Sequence, residues 1–521
     1  MLKKNKAPGF DGLTAEFYLK YWDDIKNEFL GVVKEIEECC ELCHSQYRGI
    51  ISLIYKKGDR EDIKNWRPIT LLNVDYKIIA KLYAERLKAA LPLIVHENQR
   101  AFIKGRQITE NIRQTQDIIE YIEKQNIPGA IIFLDQAKAF DRVEWQYLME
   151  CLKSFGFGNN FCNWILMLYK RGESSVLTNG FLSNFFGITR SMRQGCPIAA
   201  YLYILQAEPM ALAIRKSTNI CGIRLPVVEE QRLEARISMF ADDTQLFHST
   251  EKSIKEGFDI LETYCQASGA KINISKTKGL YIGQWKNKTP VMTNIDWVKT
   301  AEGLGAKYGF NINYEELWLQ KFCKFKKKIQ CWSKRDLTLQ GKKILISSFI
   351  VSGLSFMIDC YPDNISEYVM KETKNLIKEF LWKGKTWRVA QKTMSLKKKH
   401  GGIEIPDIDA IIQARQINWI KKIHFSVVQS WNAIGKHYIA SQDGINKCEN
   451  FILKCSLLNG ESLKKLPKFY KLCIEAWSKN LAKRKPYCQE DILKMNIFCN
   501  IDIVTKKSNQ SSSHIGVPLE L

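Results

Sequence analysis

Two adjacent carboxylates, Asp242 and Asp243, stand inside the apolar stretch Arg236-Ile-Ser-Met-Phe-Ala-Asp-Asp-Thr-Gln-Leu-Phe-His248. That pattern predicts a strand, a tight turn and a second strand, with the acids at the tip. Neighbouring ionised carboxylates repel each other, so the arrangement is costly without a counter-charge. A divalent cation supplies one, and hard oxygen ligands suit Mg²⁺. On pattern alone, a solvated turn accounts for the dipeptide at least as well.

A third acid adds weight to the metal reading. Residues 130 to 134 form a continuous apolar run ending at Asp135. Such a run suits a strand buried on both faces, with the carboxylate emerging at its end. A helix N-cap is the competing role for Asp135. Asp135 and Asp242 lie 107 positions apart, so only the fold can unite them. Between them, Arg193-Gln-Gly-Cys-Pro197 precedes an apolar helical stretch. A glycine turn of this kind lets backbone approach a ligand closely.

The ordered set Leu134-Asp-Gln-Ala-Lys-Ala-Phe-Asp141, Arg193-Gln-Gly-Cys-Pro197 and Phe240-Ala-Asp-Asp243 resembles the reverse transcriptases of non-LTR retrotransposons, specifically the long interspersed element type. The likeness extends to Lys6–Tyr18, Tyr55–Asp59, Asn65–Asn73, Gln99–Arg106, Trp332–Lys342 and Gly401–Pro406. It implies an α+β right-hand polymerase: fingers and a palm with an antiparallel sheet, a helical thumb, and a helical C-terminal region. The corresponding boundaries are a truncated N-terminal extension (1–45), fingers and palm (46–312), a basic helical thumb (313–400), a C-terminal helical region (401–505) and a disordered tail (506–521). Relatives of full length carry an endonuclease domain ahead of this region, so the chain is expected to be a fragment lacking it.

The resemblance also implies roles. Asp135, Asp242 and Asp243 would hold two Mg²⁺ ions, with Mn²⁺ as a substitute, for nucleotidyl transfer from dNTPs to a primer 3′-hydroxyl. Asp141 reads better as a cap or ion-pair member. Phe140 would lie under the sugar of the incoming nucleotide and exclude a 2′-hydroxyl. Lys56, Lys57 and Arg67 would grip the triphosphate. Gln194 and Gly195 would form the turn over the nascent base pair, with Arg193 on template or triphosphate. Lys276 is the candidate general acid for the departing pyrophosphate. Leu304 and Gly305 stand at the primer grip, and Lys334, Arg335 and Lys342 at the duplex. Ala199-Ala200 replaces the Ser-Pro step common after Cys196-Pro197.

Composition agrees with a polyanionic partner. The 521 residues carry a net charge of +23. Residues 321–400 hold 19 Lys or Arg against 6 Asp or Glu, over half of that excess, with Trp332, Trp382 and Trp387 among them. Interleaved basic and aromatic residues suit a nucleic-acid groove, although a solvated face would look similar. The expected partners are an RNA template, a DNA primer and dNTPs, with no membrane. No secretory signal is evident, and the uncharged stretch 344–358 reads as a short, buried helix. An intracellular site, nuclear or cytoplasmic, is therefore expected. Cys40-Glu-Leu-Cys43-His44 fits a haem-attachment pattern by chance, since nothing near it supports that chemistry. The alternatives are an inactive remnant that only binds nucleic acid, a maturase-like polymerase and an RNA-synthesising polymerase.

Overall fold

The computed structural model describes residues 2–383, 389–440 and 463–481. Trp387, the tail at 506–521 and much of 401–505 lie outside the described residues. The chain divides into two compact units. The first comprises the described residues of 1–111, 122–224 and 234–309; the second comprises those of 112–121, 225–233 and 310–521.

The first unit is α+β and is organised on two five-stranded sheets. One contains β1 (Arg48–Tyr55), β2 (Trp66–Leu72), β4 (Glu173–Thr178), β5 (Phe181–Leu182) and β6 (Phe186–Gly187), in the order β2-β1-β4-β5 with β6 also on β4. β1 pairs antiparallel with β2 and parallel with β4. The other runs β12-β11-β3-β10-β9: Asp296–Trp297, Lys278–Gly283, Pro128–Leu134, Asp243–His248 and Ile237–Phe240. Its four longer strands are antiparallel throughout. β7 (Ile223–Arg224) pairs with β8 (Glu234–Ala235), and β13 (Thr300–Gly303) pairs with β14 (Ala306–Gly309).

Sequence pattern explains this second sheet. Residues 129–134 of β3 are all buried, as a central strand covered on both faces requires. The helix Ala199–Lys216 presents Leu202, Leu205, Ala207, Met210 and Ile214 to the interior, all at most 1% exposed. Ala207, Met210 and Ile214 share a core with Ile132 and Leu134 of β3 and with Leu246 of β10. The strand ends that carry the acids are thus fixed by apolar packing, at about 25 cal/mol per Å² of apolar area buried.

The described part of the second unit is largely helical, with long helices at Tyr314–Ser333, Glu367–Trp382, Ile408–Phe425 and Lys468–Leu481. The stretch expected to form a short, buried helix belongs to a 22-residue helix, Leu339–Cys360. A π-turn at Ile346–Val351 lies inside it. Ile346, Ile350, Leu354 and Met357 are buried, whereas Ile344 is 62% exposed. By length and composition this one described helix could cross a membrane. The helix is longer than expected, but its added turns bring in Lys342, Lys343 and Asp359, and the buried positions along one face are those of a core helix.

Candidate active site

Three strand ends meet at the acids. β3 stops at Asp135, whose backbone N–H donates to Thr277 Oγ1 at 3.3 Å and whose carbonyl accepts from the Asn273 N–H at 2.7 Å. In the antiparallel ladder Thr244 faces Leu134, so Asp243 is the next position out, opposite Asp135. Asp243 also pairs with Phe240, which leaves Ala241-Asp242 as a two-residue turn. Ala241 takes the left-handed conformation such hairpins need, with φ +56°. The register alone therefore delivers all three acids to one end of the sheet.

Their charges are mutually felt. Desolvation raises the Asp243 carboxyl to about 6, and the charges of Asp242 and Asp135 add to the rise. Asp243 is exposed to the cavity, yet the surrounding walls keep bulk water from much of its carboxylate. Asp242 is raised as well, first by burial, with Lys56 and Arg67 opposing the rise. Lys56, just after β1, and Arg67, on β2, thus act electrostatically on Asp242. Among the described residues, no three His, Cys, Asp or Glu side chains are already gathered tightly enough to cage a metal ion. The donor set nonetheless fits Mg²⁺: three hard-oxygen carboxylates whose mutual repulsion a bound cation would relieve. A cavity of about 360 Å³ opens beside them, lined by Asp135, Asp243, Lys276, Lys278, Glu302 and Leu304 among others.

The other expected site residues fall into groups. Lys56 and Lys57 are exposed, as is Arg67 on β2. Phe140 is half-buried and stacked on Tyr203 at 4.3 Å and 17° between ring planes. Burial raises the Asp141 carboxyl, and the nearby Lys138 charge and Gln194 side chain oppose the rise. The Gln194 carbonyl accepts from Thr70 N–H at 2.7 Å. Gly195 has φ +133°, and a Cβ there would lie 2.2 Å from the Thr70 carbonyl oxygen, so only glycine fits. Lys276 lines the cavity, and Lys278 beside it is paired with Asp296 at 3.1 Å. Leu304 and Gly305 form the turn between β13 and β14, both left-handed, at φ +54° and +77°. Lys334 and Arg335 are exposed, with the Arg335 guanidinium 4.7 Å from the Trp332 ring centre.

Two assignments need correction. Arg193 does not reach toward template or triphosphate. It is 3% exposed, and its guanidinium donates to the carbonyls of Tyr47 at 3.0 Å and Leu168 at 2.7 Å. It also lies 4.9 Å from the Tyr76 ring centre, so it is an internal brace. Lys342 is likewise withdrawn from any duplex: it is 7% exposed and its Nζ donates to the Leu381 carbonyl at 2.8 Å. In both cases the cation satisfies helix-end or loop carbonyls, which local sequence does not reveal.

Sequence reading also missed supporting residues. Thr277 anchors Asp135 from two positions beyond Ser275, and Gln136 accepts from the Tyr203 hydroxyl at 3.1 Å, fixing the ring on which Phe140 stacks. Neither residue type carries a chemical signature, so only the fold could identify them.

Comparison with known proteins shows what the chain is similar to. Residues 54–308 match the family described as reverse transcriptase (RNA-dependent DNA polymerase). The chain is 30% identical over 527 residues to the Transposon TX1 uncharacterized 149 kDa protein of Xenopus laevis, covering 97% of this chain and 39% of that one. It is 24% identical to the retrovirus-related Pol polyprotein from type-2 retrotransposable element R2DM of Drosophila melanogaster, covering 55% of this chain and 26% of that one. A similar polyprotein, from type-1 element R2 of Popillia japonica, is 23% identical over 44% of this chain and 32% of its own length. The chain therefore spans well under half of these relatives. Apo telomerase from Candida Tropicalis aligns at TM-score 0.39 and 10% identity, over 82% of this chain and 73% of that one. The chain belongs to the reverse transcriptases of non-LTR retrotransposons.

Proposed function

We propose that this chain catalyses RNA-directed DNA synthesis, extending a primer 3′-hydroxyl with dNTPs. The observation that carries the reading is the strand register that gathers Asp135, Asp242 and Asp243 beside an open cavity. The three carboxylates would hold two Mg²⁺ ions, which when bound activate the hydroxyl and neutralise charge on the leaving pyrophosphate. Lys56, Lys57 and Arg67 bind the triphosphate, Arg67 by a two-pronged contact and the lysines as point charges. Phe140, braced by Tyr203, supports the sugar and disfavours a 2′-hydroxyl. Asp141 orients Gln194, and the Gln194-Gly195 turn borders the nascent base pair. Lys276 delivers a proton to the pyrophosphate. Leu304-Gly305 contacts the primer end.

In this reading the protein is a right-hand polymerase. Residues 46–312 supply fingers, built on β1 and β2, and a palm, built on the sheet of β3 and β9 to β12. The described residues of 313–400 are a helical thumb whose Lys334 and Arg335 meet duplex backbone. Residues 1–45 form an N-terminal extension, and the described residues of 401–505 a C-terminal helical region. RNA template, DNA primer and dNTPs are the partners, at an intracellular site.

The test is primer extension on poly(rA)/oligo(dT) with dTTP. Incorporation that requires Mg²⁺ or Mn²⁺ and stops with a chelator supports the proposal. A folded chain that binds the template-primer but incorporates nothing with either metal would establish the inactive remnant instead.

A further inference from the structure

The hairpin that carries Asp242 is held by a side chain the proposed chemistry does not use. Gln99 is 1% exposed, and its carboxamide faces Ala241. Gln99 Oε1 accepts from the Ala241 N–H at 2.9 Å, and Gln99 Nε2 donates to the Ala241 carbonyl at 3.4 Å. One amide therefore grips both polar groups of the residue immediately before Asp242. The second of these bonds acts on the peptide plane that begins Asp242, so it bears directly on where that carboxylate points. Ala241 needs such a grip: a left-handed conformation is disfavoured for an L-residue other than glycine, and its φ is +56°.

Gln99 is itself fixed. Its Oε1 also accepts from the Ala101 N–H at 3.1 Å, and its carbonyl accepts from Arg106 Nη1 at 2.7 Å. Arg106 further binds the carbonyls of His96 and Val95, at 2.7 and 3.0 Å. The flanking backbone pairs with β9 through Met239 N–H to the Asn98 carbonyl at 2.8 Å and Arg100 N–H to the Met239 carbonyl at 3.0 Å. Asn111 Nδ2 adds bonds to the Met239 carbonyl at 3.0 Å and Ser238 Oγ at 2.8 Å. Residues 98–111 thus form a polar strap along the outer edge of β9, and Gln99 is where it touches the catalytic turn.

We propose that Gln99 is a positioning residue that sets the direction of Asp242, and through it the affinity of the acidic site for a divalent cation. This rests on the metal-site reading above. Two measurements on the full chain test it: Mn²⁺ affinity by electron paramagnetic resonance without nucleic acid, and steady-state dTTP incorporation on poly(rA)/oligo(dT). Gln99→Leu keeps the volume and removes both bonds. It should weaken Mn²⁺ binding and lower kcat by about tenfold each, the scale for groups that orient metal ligands, while KM for dTTP changes less than about twofold. Should Gln99→Leu not fold, Gln99→Glu reads the same quantities. It keeps an acceptor for the Ala241 N–H but, when ionised, loses the donor to the Ala241 carbonyl, so both losses persist at reduced size. A purely structural role would lower thermal stability yet leave Mn²⁺ affinity and kcat within about twofold of the parent; that result overturns the proposal. Absence of saturable Mn²⁺ binding by the parent itself would refute the metal site, and this inference with it.

Discussion

In the first unit, Asp135, Asp242 and Asp243 gather at an open sheet end, where burial and then the neighbouring carboxylates raise the proton affinity of Asp242 and Asp243. In the second, Asp117 and Asp359 are buried and answered by partners. Asp117 accepts from Arg113 Nε at 2.8 Å and from the Tyr470 hydroxyl at 2.5 Å. Asp359 accepts from the Arg415 guanidinium and from Trp419 Nε1 at 3.1 Å. Closed networks of the second kind secure packing, because a buried charge is tolerable only when it is paired. The open set keeps its lone pairs available at a cost in self-repulsion, which is what a cation site needs. The arginines repeat the lesson. Arg67 is exposed and acts on Asp242, whereas Arg193 spends its donors on internal carbonyls.

If the contrast is right, the two acid sets should fail differently. Asp135→Asn should cut incorporation by about a thousandfold with little loss of fold, on primer extension and thermal denaturation run in parallel. Asp117→Ala should do the reverse, since it takes the nearer of two carboxylates from the buried Arg113, leaving only Glu120 at 3.8 Å. A loss of about 3–5 kcal/mol in denaturant titration is expected, with activity per folded molecule retained.

The next effect is on pH. Asp243 is raised to about 6, so incorporation should fall about tenfold per unit as pH drops below that value and the ligand is protonated. The stability linkage has the opposite sense. The folded chain holds this proton more tightly than the unfolded chain, so stability is lost as pH rises from the ordinary carboxylate range through about 6. Asp243→Asn removes that cost and should stabilise the metal-free protein at pH 7.5, by less than about 1 kcal/mol after solvent screening. A destabilised Asp243→Asn at that pH would break the contrast.

Smaller effects sharpen it. Phe140→Ala should relax the preference for dNTP over rNTP by about tenfold in kcat/KM ratios. Unchanged discrimination would return Phe140 to simple packing on Tyr203. Each exposed lysine on the helix Tyr314–Ser333, such as Lys324 or Lys327, should lower the salt slope of duplex binding by about 0.9 when changed to alanine. Lys342→Met should not alter that slope, because its ammonium is bonded to the Leu381 carbonyl.

Much of the site was legible because strand chemistry is local. The run at 130–134 and the flanks of Asp242-Asp243 specify strands and a turn with no knowledge of the rest, and the observed β3, β9 and β10 follow that pattern. The turn glycine at 195 was legible for the same reason, whereas Leu304-Gly305 was placed only by resemblance and not read as a hairpin turn. What stayed hidden depends on long-range partners. Nothing around Arg193 indicates that Tyr47 and Leu168 will present carbonyls to it, and nothing around Gln99 indicates Ala241, 142 positions away. The helix Leu339–Cys360 was underestimated because the uncharged core was read without the helical turns that extend it.

The central claim is that Asp242, directed by its hairpin, is indispensable to metal-dependent chemistry. Its most direct test is dTTP incorporation on poly(rA)/oligo(dT) across a Mg²⁺ titration, comparing the parent chain with Asp242→Ala. The account predicts saturable, Mg²⁺-dependent synthesis by the parent and none above background for the variant, with equal binding of the template-primer. Synthesis by Asp242→Ala at a rate near that of the parent would contradict it.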